Sequence, residues 1–140
     1  MSSYPLMKHG KEQSVQRAAA TIDFMTEHQA KSGFFYGFIK NGIIMDDSFG
    51  YEGMEKIHLV RKSADGLYFL FKHFTLGTPK QQWVQSAKRC ADAFVKLFES
   101  YGTFGQFVDV ESGELIVGSS SAGAMAIGAL ARAGRYFGSE

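Results

Sequence analysis

The feature that most constrains the fold is a repeated order of segments within this chain of 140 residues. Each half contains an amphipathic helix, a short β-hairpin and a second helix with few polar side chains. Each hairpin is preceded by a glycine and phenylalanines at matching spacing, in residues 33–38 and 102–107. Internal self-similarity of this kind is typical of repeat architectures. We therefore predict a mainly α fold in one domain, with repeats over about residues 11–77 and 78–138.

The first repeat is predicted to contain helices over residues 11–30 and 64–75. The earlier helix carries one apolar stripe, which indicates an outer helix with a solvated face. The later helix has almost no polar face, so it should be buried on nearly all sides, with Ser63 as its N-cap. An Asn-Gly turn in residues 38–44 predicts a hairpin between the two helices. Residues 46–58 are expected to form a charged loop.

The second repeat follows the same order. Thr78, Pro79 and Gln81 predict a helix start with a capping box, and Gly102 predicts the end of that amphipathic helix. A second hairpin is predicted within residues 104–117. A largely apolar helix with many small side chains is expected over residues 122–137. Any of the serines 119–121 is a possible N-cap. This arrangement pairs each amphipathic outer helix with an apolar inner helix.

Composition narrows the classes of function. Fifteen basic and fourteen acidic residues nearly cancel, so we expect neither nucleic-acid nor membrane binding. A single cysteine, Cys90, allows neither an intramolecular disulfide nor a cysteine-based zinc site. No metal site and no cofactor is predicted. The first ten residues lack a signal-peptide core, and no apolar run approaches the roughly 20 residues that span a bilayer. We therefore expect a cytoplasmic protein.

The second repeat also carries a family resemblance. The motif FGQFVD at residues 104–109, the turn residues 112–114 and the motif GSSSAGA at residues 118–124 together resemble a hairpin of the six-hairpin glycosidases. This superfamily of (α/α)6 toroids includes unsaturated glucuronyl hydrolases and related sugar-active enzymes. The resemblance implies a carbohydrate-processing protein, most simply a glycoside hydrolase. A complete toroid has six hairpins and this chain supplies about two, so we expect either a homo-oligomer or a piece of a longer chain.

In that family the active site lies where the hairpin loops meet the starts of the inner helices. Residues 46–65 would occupy this place, and glycoside hydrolysis usually needs a carboxylic acid with a second carboxylate. The resemblance thus implies Asp46 or Asp47 as general acid/base, although a solvated loop pair is the simpler interpretation. The candidate catalytic residues are Asp46, Asp47 and His58. The candidate substrate-binding residues are Tyr36, Tyr51, Glu52, Arg61, Gln106 and Asp109.

Several of these residues have alternative interpretations. Glu52, Glu55 and His58 are spaced to share a helical face, as an acid/base or metal cluster or as partners in surface salt bridges. Arg61 could hold a substrate carboxylate or pair with an acidic neighbour such as Asp65. Two other functions remain open: a non-catalytic helical-repeat interaction module, and a sugar epimerase in which His58 moves a proton.

Overall fold

The computed structural model describes residues 3–45, 47, 56–118 and 120–138, with only the backbone for Phe38 and Met45. The protein is mostly helical with small antiparallel sheets. Its α-helices are α1 (Ser3–His9), α2 (Glu12–Glu27), α3 (Val60–Phe74), α4 (Gln81–Tyr101) and α5 (Ala124–Phe137). Its strands are β1 (Phe38–Lys40), β2 (Ile43–Met45), β3 (Ile57–Leu59), β4 (Phe107–Asp109) and β5 (Leu115–Val117). None of the helices in the described part of the chain is long and apolar enough to span a membrane.

Two hairpins form where turn residues predict them. Strands β1 and β2 are joined by Asn41 and Gly42, whose φ values of 52° and 76° are those that a two-residue turn requires. Strand β4 pairs with β5, as Phe107 with Val117 and Val108 with Leu115, with an irregularity between the two pairs. Both hairpins therefore confirm the turn chemistry of the sequence.

The sheet around β4 contains a third strand, β3, that the sequence does not predict. Strand β3 lies in the segment expected to be a charged loop, and it pairs antiparallel with β4, as His58 with Val108 and Leu59 with Phe107. The order β3-β4-β5 therefore joins a strand of the first half to the hairpin of the second half. A three-residue strand has too little alternation to stand out in a sequence rich in charge and glycine.

Two predicted helix starts are wrong. Helix α3 begins at Val60 and not after Ser63, so Ser63 lies inside the first turn and its hydroxyl bonds elsewhere. Helix α4 begins at Gln81 and has no side-chain cap, so the capping box expected from Thr78 does not form. The end of α4 is as predicted, because Gly102 adopts the left-handed conformation with φ of 67°. Helix α1 was not predicted.

The core lies mainly between α3, α4 and α5. Helices α3 and α5 pack along one another, and α4 contacts both. Large buried side chains include Phe34, Phe94, Leu67 and Leu70, while α5 contributes the small residues Ala126, Ala129 and Ala133. Helix α5 is covered on only part of its surface, since Ile127 is 63% exposed. The described residues therefore leave one side of α5 exposed to solvent.

Polar contacts attach α2 to α4. The indole Nε1 of Trp83 donates to Asp23 Oδ1 at 2.8 Å, and Lys80 Nζ lies 2.7 Å from Asp23 Oδ2. Hydrogen bonds with Lys80 and Trp83 outweigh partial burial and lower the pKa of Asp23. These bonds hold the end of α2 beside the start of α4.

Candidate functional site

The start of α3 contains a buried polar network centred on Asp47, His58 and Ser63. Asp47 Oδ2 lies 3.1 Å from His58 Nδ1, without the alignment of a hydrogen bond. His58 Nε2 lies 2.7 Å from Ser63 Oγ. The three residues are 6%, 1% and 0% exposed. The network therefore has the order carboxylate, imidazole and hydroxyl, sealed inside the protein.

The neighbours of the ring determine the direction of these contacts. An ionised carboxylate only accepts, so we assign the imidazole proton to Nδ1, which faces Asp47. With this single ring proton, Nε2 accepts from the Ser63 hydroxyl. Ser63 Oγ in turn accepts from the backbone N–H of Phe35 at 2.9 Å. The chain of contacts thus connects Asp47 to the segment after α2.

The Asp47 carboxylate is also held by the start of α3. The backbone N–H of Leu59 donates to Oδ2 at 2.9 Å, and Lys62 Nζ forms an ion pair with Oδ1. A Cβ on Gly37 would lie 2.5 Å from both carboxylate oxygens, so the backbone of the first hairpin closes over this group. Glycine is therefore needed at position 37 for Asp47 to lie here.

These contacts determine the ionisation of Asp47. Burial raises its pKa, but the contacts with His58, Lys62 and the N–H of Leu59 together lower it to about 2. Asp47 is therefore a carboxylate at neutral pH, and both of its oxygens are occupied. In this geometry it can orient His58 and Lys62, but it has no proton to donate.

The Asp47–His58–Ser63 arrangement has the order of groups found in a nucleophilic triad, but its serine is not accessible to a substrate. A triad serine must reach a substrate carbonyl, whereas Ser63 is fully buried and bonded to the backbone of Phe35. This network joins Asp47 to strand β3, helix α3 and the segment after α2, and it gives these buried polar groups the partners that they need for stability. We therefore interpret it as a structural network.

Two further candidate residues, Tyr36 and Asp109, make contacts at the β4–β5 turn. The Tyr36 hydroxyl donates to Glu111 Oε1 across the two halves, and burial together with this carboxylate raises the pKa of Tyr36 to about 12. Asp109 Oδ1 accepts from the backbone N–H groups of Glu111 and Ser112, at 2.9 and 2.8 Å. Asp109 therefore shapes the turn.

The remaining candidates are placed as follows. The Gln106 carbonyl accepts from the N–H of Val60 at 3.0 Å, and its N–H donates to the Val117 carbonyl at 2.7 Å, so its backbone links the start of α3 to β5. The Arg61 side chain is 61% exposed and lies 3.7 Å from Asp65. Asp46, Tyr51, Glu52 and Glu55 lie outside the described residues. Among the residues that the structure describes, no three His, Cys, Asp or Glu side chains could together hold a metal ion.

A cavity of about 400 Å³ is lined by Glu111 and by none of the candidate residues named in the sequence analysis. It is bounded by the segment after α2, the last turns of α4 and the β4–β5 turn, and we call it the turn cavity. Its lining includes Lys31, Lys96, Glu111 and Glu114 around buried Phe34. In the sequence, Glu111 and Glu114 indicate only a turn, and no spacing places them near Lys31 or Lys96.

Comparisons of this chain with protein-family models, curated proteins and solved structures found no match. The toroid resemblance therefore stays a prediction from the motifs of the second hairpin.

Proposed function

We propose that this chain is a two-hairpin part of an α/α toroid that processes carbohydrate through carboxylate acid/base chemistry. The supporting observation is that the two apolar helices pack along one another and start at the same sheet. Helix α3 follows β3 directly, and α5 follows β5 after the short turn Ser121–Gly123. Strands β3 and β5 lie on either side of β4, which brings both helix starts to one end of the protein.

Of the acid/base candidates, Asp47 and His58 lie beside the start of α3 in the described residues. The backbone N–H of Asp47 donates to the carbonyl of Ile57 at 2.9 Å, and its carboxylate accepts from the N–H of Leu59, the residue before α3. Because Asp47 is ionised and enclosed, we propose that it is a positioning residue and that its neighbour Asp46 is the general acid. Arg61, exposed on the first turn of α3, and Tyr51 would hold the sugar, with Tyr36, Glu52, Gln106 and Asp109 nearby in the proposed site.

Closure of a toroid requires hairpins beyond the two in this chain. In this proposal they come from two further copies of the chain or from the rest of a longer protein. Light scattering distinguishes these sources, because three copies have three times the mass of the monomer. The incomplete cover of α5, with Ile127 63% exposed, agrees with a neighbour on that side.

The decisive experiment is an assay of Asp46→Asn on unsaturated disaccharides. General acid catalysis contributes roughly 10²- to 10⁴-fold to rate, so we expect a loss of that size. Asp92→Asn is the matched control, since Asp92 is an exposed carboxylate on α4 paired with Lys88. An unchanged rate for Asp46→Asn would reject this assignment, and absence of cleavage by the assembled wild-type protein would reject hydrolysis itself.

A second candidate function is a non-catalytic interaction module. It is favoured by apolar side chains exposed on α4 and α5, namely Phe98 at 47%, Ile127 at 63% and Tyr136 at 44%. A change of Ile127→Asp should then abolish assembly in light scattering without any effect on an enzymatic rate. Cleavage activity that is lost together with assembly would favour the toroid.

A further inference from the structure

The C-terminal ends of α3 and α5 lie side by side, at the opposite end of both helices from the sheet β3-β4-β5. The ring centroids of Phe71 and Phe137 are 5.9 Å apart there. A cavity of about 250 Å³ lies between the two helix ends, and we call it the arginine cavity. Its lining residues are Phe71, Thr75, Arg132, Arg135 and Tyr136.

The two arginines of this cavity can be reached from solvent. Arg135 is exposed, Arg132 is half-buried and Tyr136 is 44% exposed. Arg132 and Arg135 are three residues apart on α5, so they lie on one helix face with Cβ atoms about 5–6 Å apart. The Thr75 hydroxyl already donates to the Lys72 carbonyl at 2.7 Å. Recognition at the arginine cavity therefore depends on two adjacent guanidinium groups and on Tyr136.

The helices around the arginine cavity contain very few acidic residues. Helices α1 and α5 contain none, and α3 contains none after Asp65. Asp65 itself lies 3.7 Å from Arg61. Within residues 3–45, 47, 56–118 and 120–138, no ion pair involves Lys72, Arg132 or Arg135. In this part of the chain, no carboxylate neutralises these three cations.

Lys72 adds to the positive field of the arginines. Arg132 Cζ lies 4.3 Å and Lys72 Nζ lies 6.0 Å from the centre of the Tyr68 ring. Arg132 Nη2 also donates to the Tyr68 hydroxyl at 3.0 Å. This hydrogen bond, the charge of Arg132 and the charge of Lys72 lower the pKa of Tyr68. Because both cations lie within a Debye length, about 8 Å at physiological salt, of one ring, their fields add there.

The helix ends account for only part of this positive charge. Cations are favourable at the C-terminal end of a helix, which carries roughly half a negative charge. The two ends together thus supply roughly one negative charge, against the three cations Lys72, Arg132 and Arg135. An excess of about two positive charges remains among the described residues.

We propose that the arginine cavity binds a small phosphate monoester. Such a group carries about −1.5 to −2 charges at neutral pH, which matches the excess, and it has three acceptor oxygens. A guanidinium presents paired donors that suit two of these oxygens at once. Arg132 and Arg135 would hold the phosphoryl oxygens, and the organic part would lie on the exposed side of Tyr136.

This site is separate from the proposed acid/base residues. The Asp47 carboxylate accepts from Leu59, the residue before α3, whereas the arginine cavity lies at the other end of that helix. The inference is therefore independent of the proposed carbohydrate chemistry.

Isothermal titration calorimetry with phenyl phosphate at neutral pH tests the proposal. Phenyl sulfate has the same ring and nearly the same shape but only one charge, so it should bind about tenfold more weakly or worse. Inorganic phosphate should also bind more weakly, because it lacks a ring to contact Tyr136. No saturable binding of phenyl phosphate, or equal binding of phenyl sulfate, would overturn the proposal. Equal binding of inorganic phosphate would overturn the choice of an ester.

Variants connect the binding to the arginine cavity. Arg135→Gln should weaken phenyl phosphate binding about tenfold or more, because it removes one pair of charged donors. Arg17→Gln is the matched control, since it changes the net charge equally and Arg17 is exposed on α2, outside the cavity. Both variants should melt at the wild-type temperature, because both side chains are exposed. Equal losses of affinity in the two variants would show a general charge effect and would reject the site.

Discussion

The Ser63 hydroxyl lies 2.7 Å from His58 Nε2 across the junction where β3 continues into α3. The same oxygen accepts the N–H of Phe35, from a segment 28 residues earlier in the chain. One small side chain thus joins a strand, a helix and the segment after α2. Because all of these groups are buried, removal of the hydroxyl leaves polar atoms without partners.

We expect Ser63→Ala to destabilise the protein by about 1–3 kcal/mol, the usual cost of leaving a buried hydrogen-bonding group unsatisfied. The free energy of unfolding in urea measures this effect. Ser100→Ala, at an exposed position on α4, should change stability by less than about 0.5 kcal/mol. A stable Ser63→Ala protein that has lost an enzymatic activity would contradict the structural interpretation and make Ser63 a nucleophile.

Asp47 should make stability depend on pH under acidic conditions. Its pKa is about 2 in the folded protein against a reference of 3.8, so its contribution is complete above about pH 4 and is lost as the pH falls toward 2. A shift of this size corresponds to a contribution on the order of 2 kcal/mol. Urea unfolding from pH 5 to pH 2 should show a steeper loss for wild type than for Asp47→Asn. Parallel curves for the two proteins would contradict the ionised, buried carboxylate.

Gly33→Ala should be strongly destabilising. Gly33 has a φ of +100°, and an added Cβ would lie 2.5 Å from the backbone oxygen of Arg89. Both strain and a clash with backbone act here, so we expect a loss of roughly 2 kcal/mol or more in the free energy of unfolding. Gly77→Ala is the control, because its Cβ would meet nothing within 4 Å and its φ is not positive. Equal melting temperatures for the two variants would refute the close approach of this turn to α4.

Cys90 should be unreactive in the folded protein. Its side chain is fully buried on α4, and burial raises the pKa of its thiol. Since the thiolate is the reactive form, a disulfide reagent such as Ellman's reagent should label Cys90 only when the protein opens or unfolds. Addition of denaturant supplies the positive control. Rapid stoichiometric labelling under native conditions would show that α4 is not packed as described.

Elements with strong local signals were predictable from the sequence. The hairpin at Asn41-Gly42 and the helix end at Gly102 depend on backbone conformations that few residues adopt, so the residues themselves reveal them. The apolar stripes of α2 and α4 and the apolar sequence of α3 likewise follow from helical periodicity. The serine cap expected for the last helix is found only on the 3-10 turn Ser121–Gly123, where Ser120 accepts from the N–H of Ala122 at 3.0 Å, and α5 itself begins at Ala124 without a side-chain cap.

Contacts between distant segments were not predictable. Strand β3 is three residues long, and its partner β4 lies about 50 residues later, so nothing local distinguishes it from a loop. The same reason explains why the sequence predicts Ser63 only as a cap: its partners His58 and Phe35 become neighbours through the tertiary fold. The turn cavity depends equally on distant pairs, such as Tyr36 with Glu111, that no motif contains.

The sheet β3-β4-β5 combines one strand from the first half of the chain with two from the second, and this has a consequence for how the protein folds. A cut after residue 77 would separate β3 from β4, its strand partner in the described sheet, and leave an open edge on β4 in the other fragment. In each fragment, backbone N–H and C=O groups of β3 or β4 would then lack their strand partners. Despite their internal similarity, the two halves should therefore acquire structure in a single cooperative transition, and fragments expressed separately should regain order only when mixed.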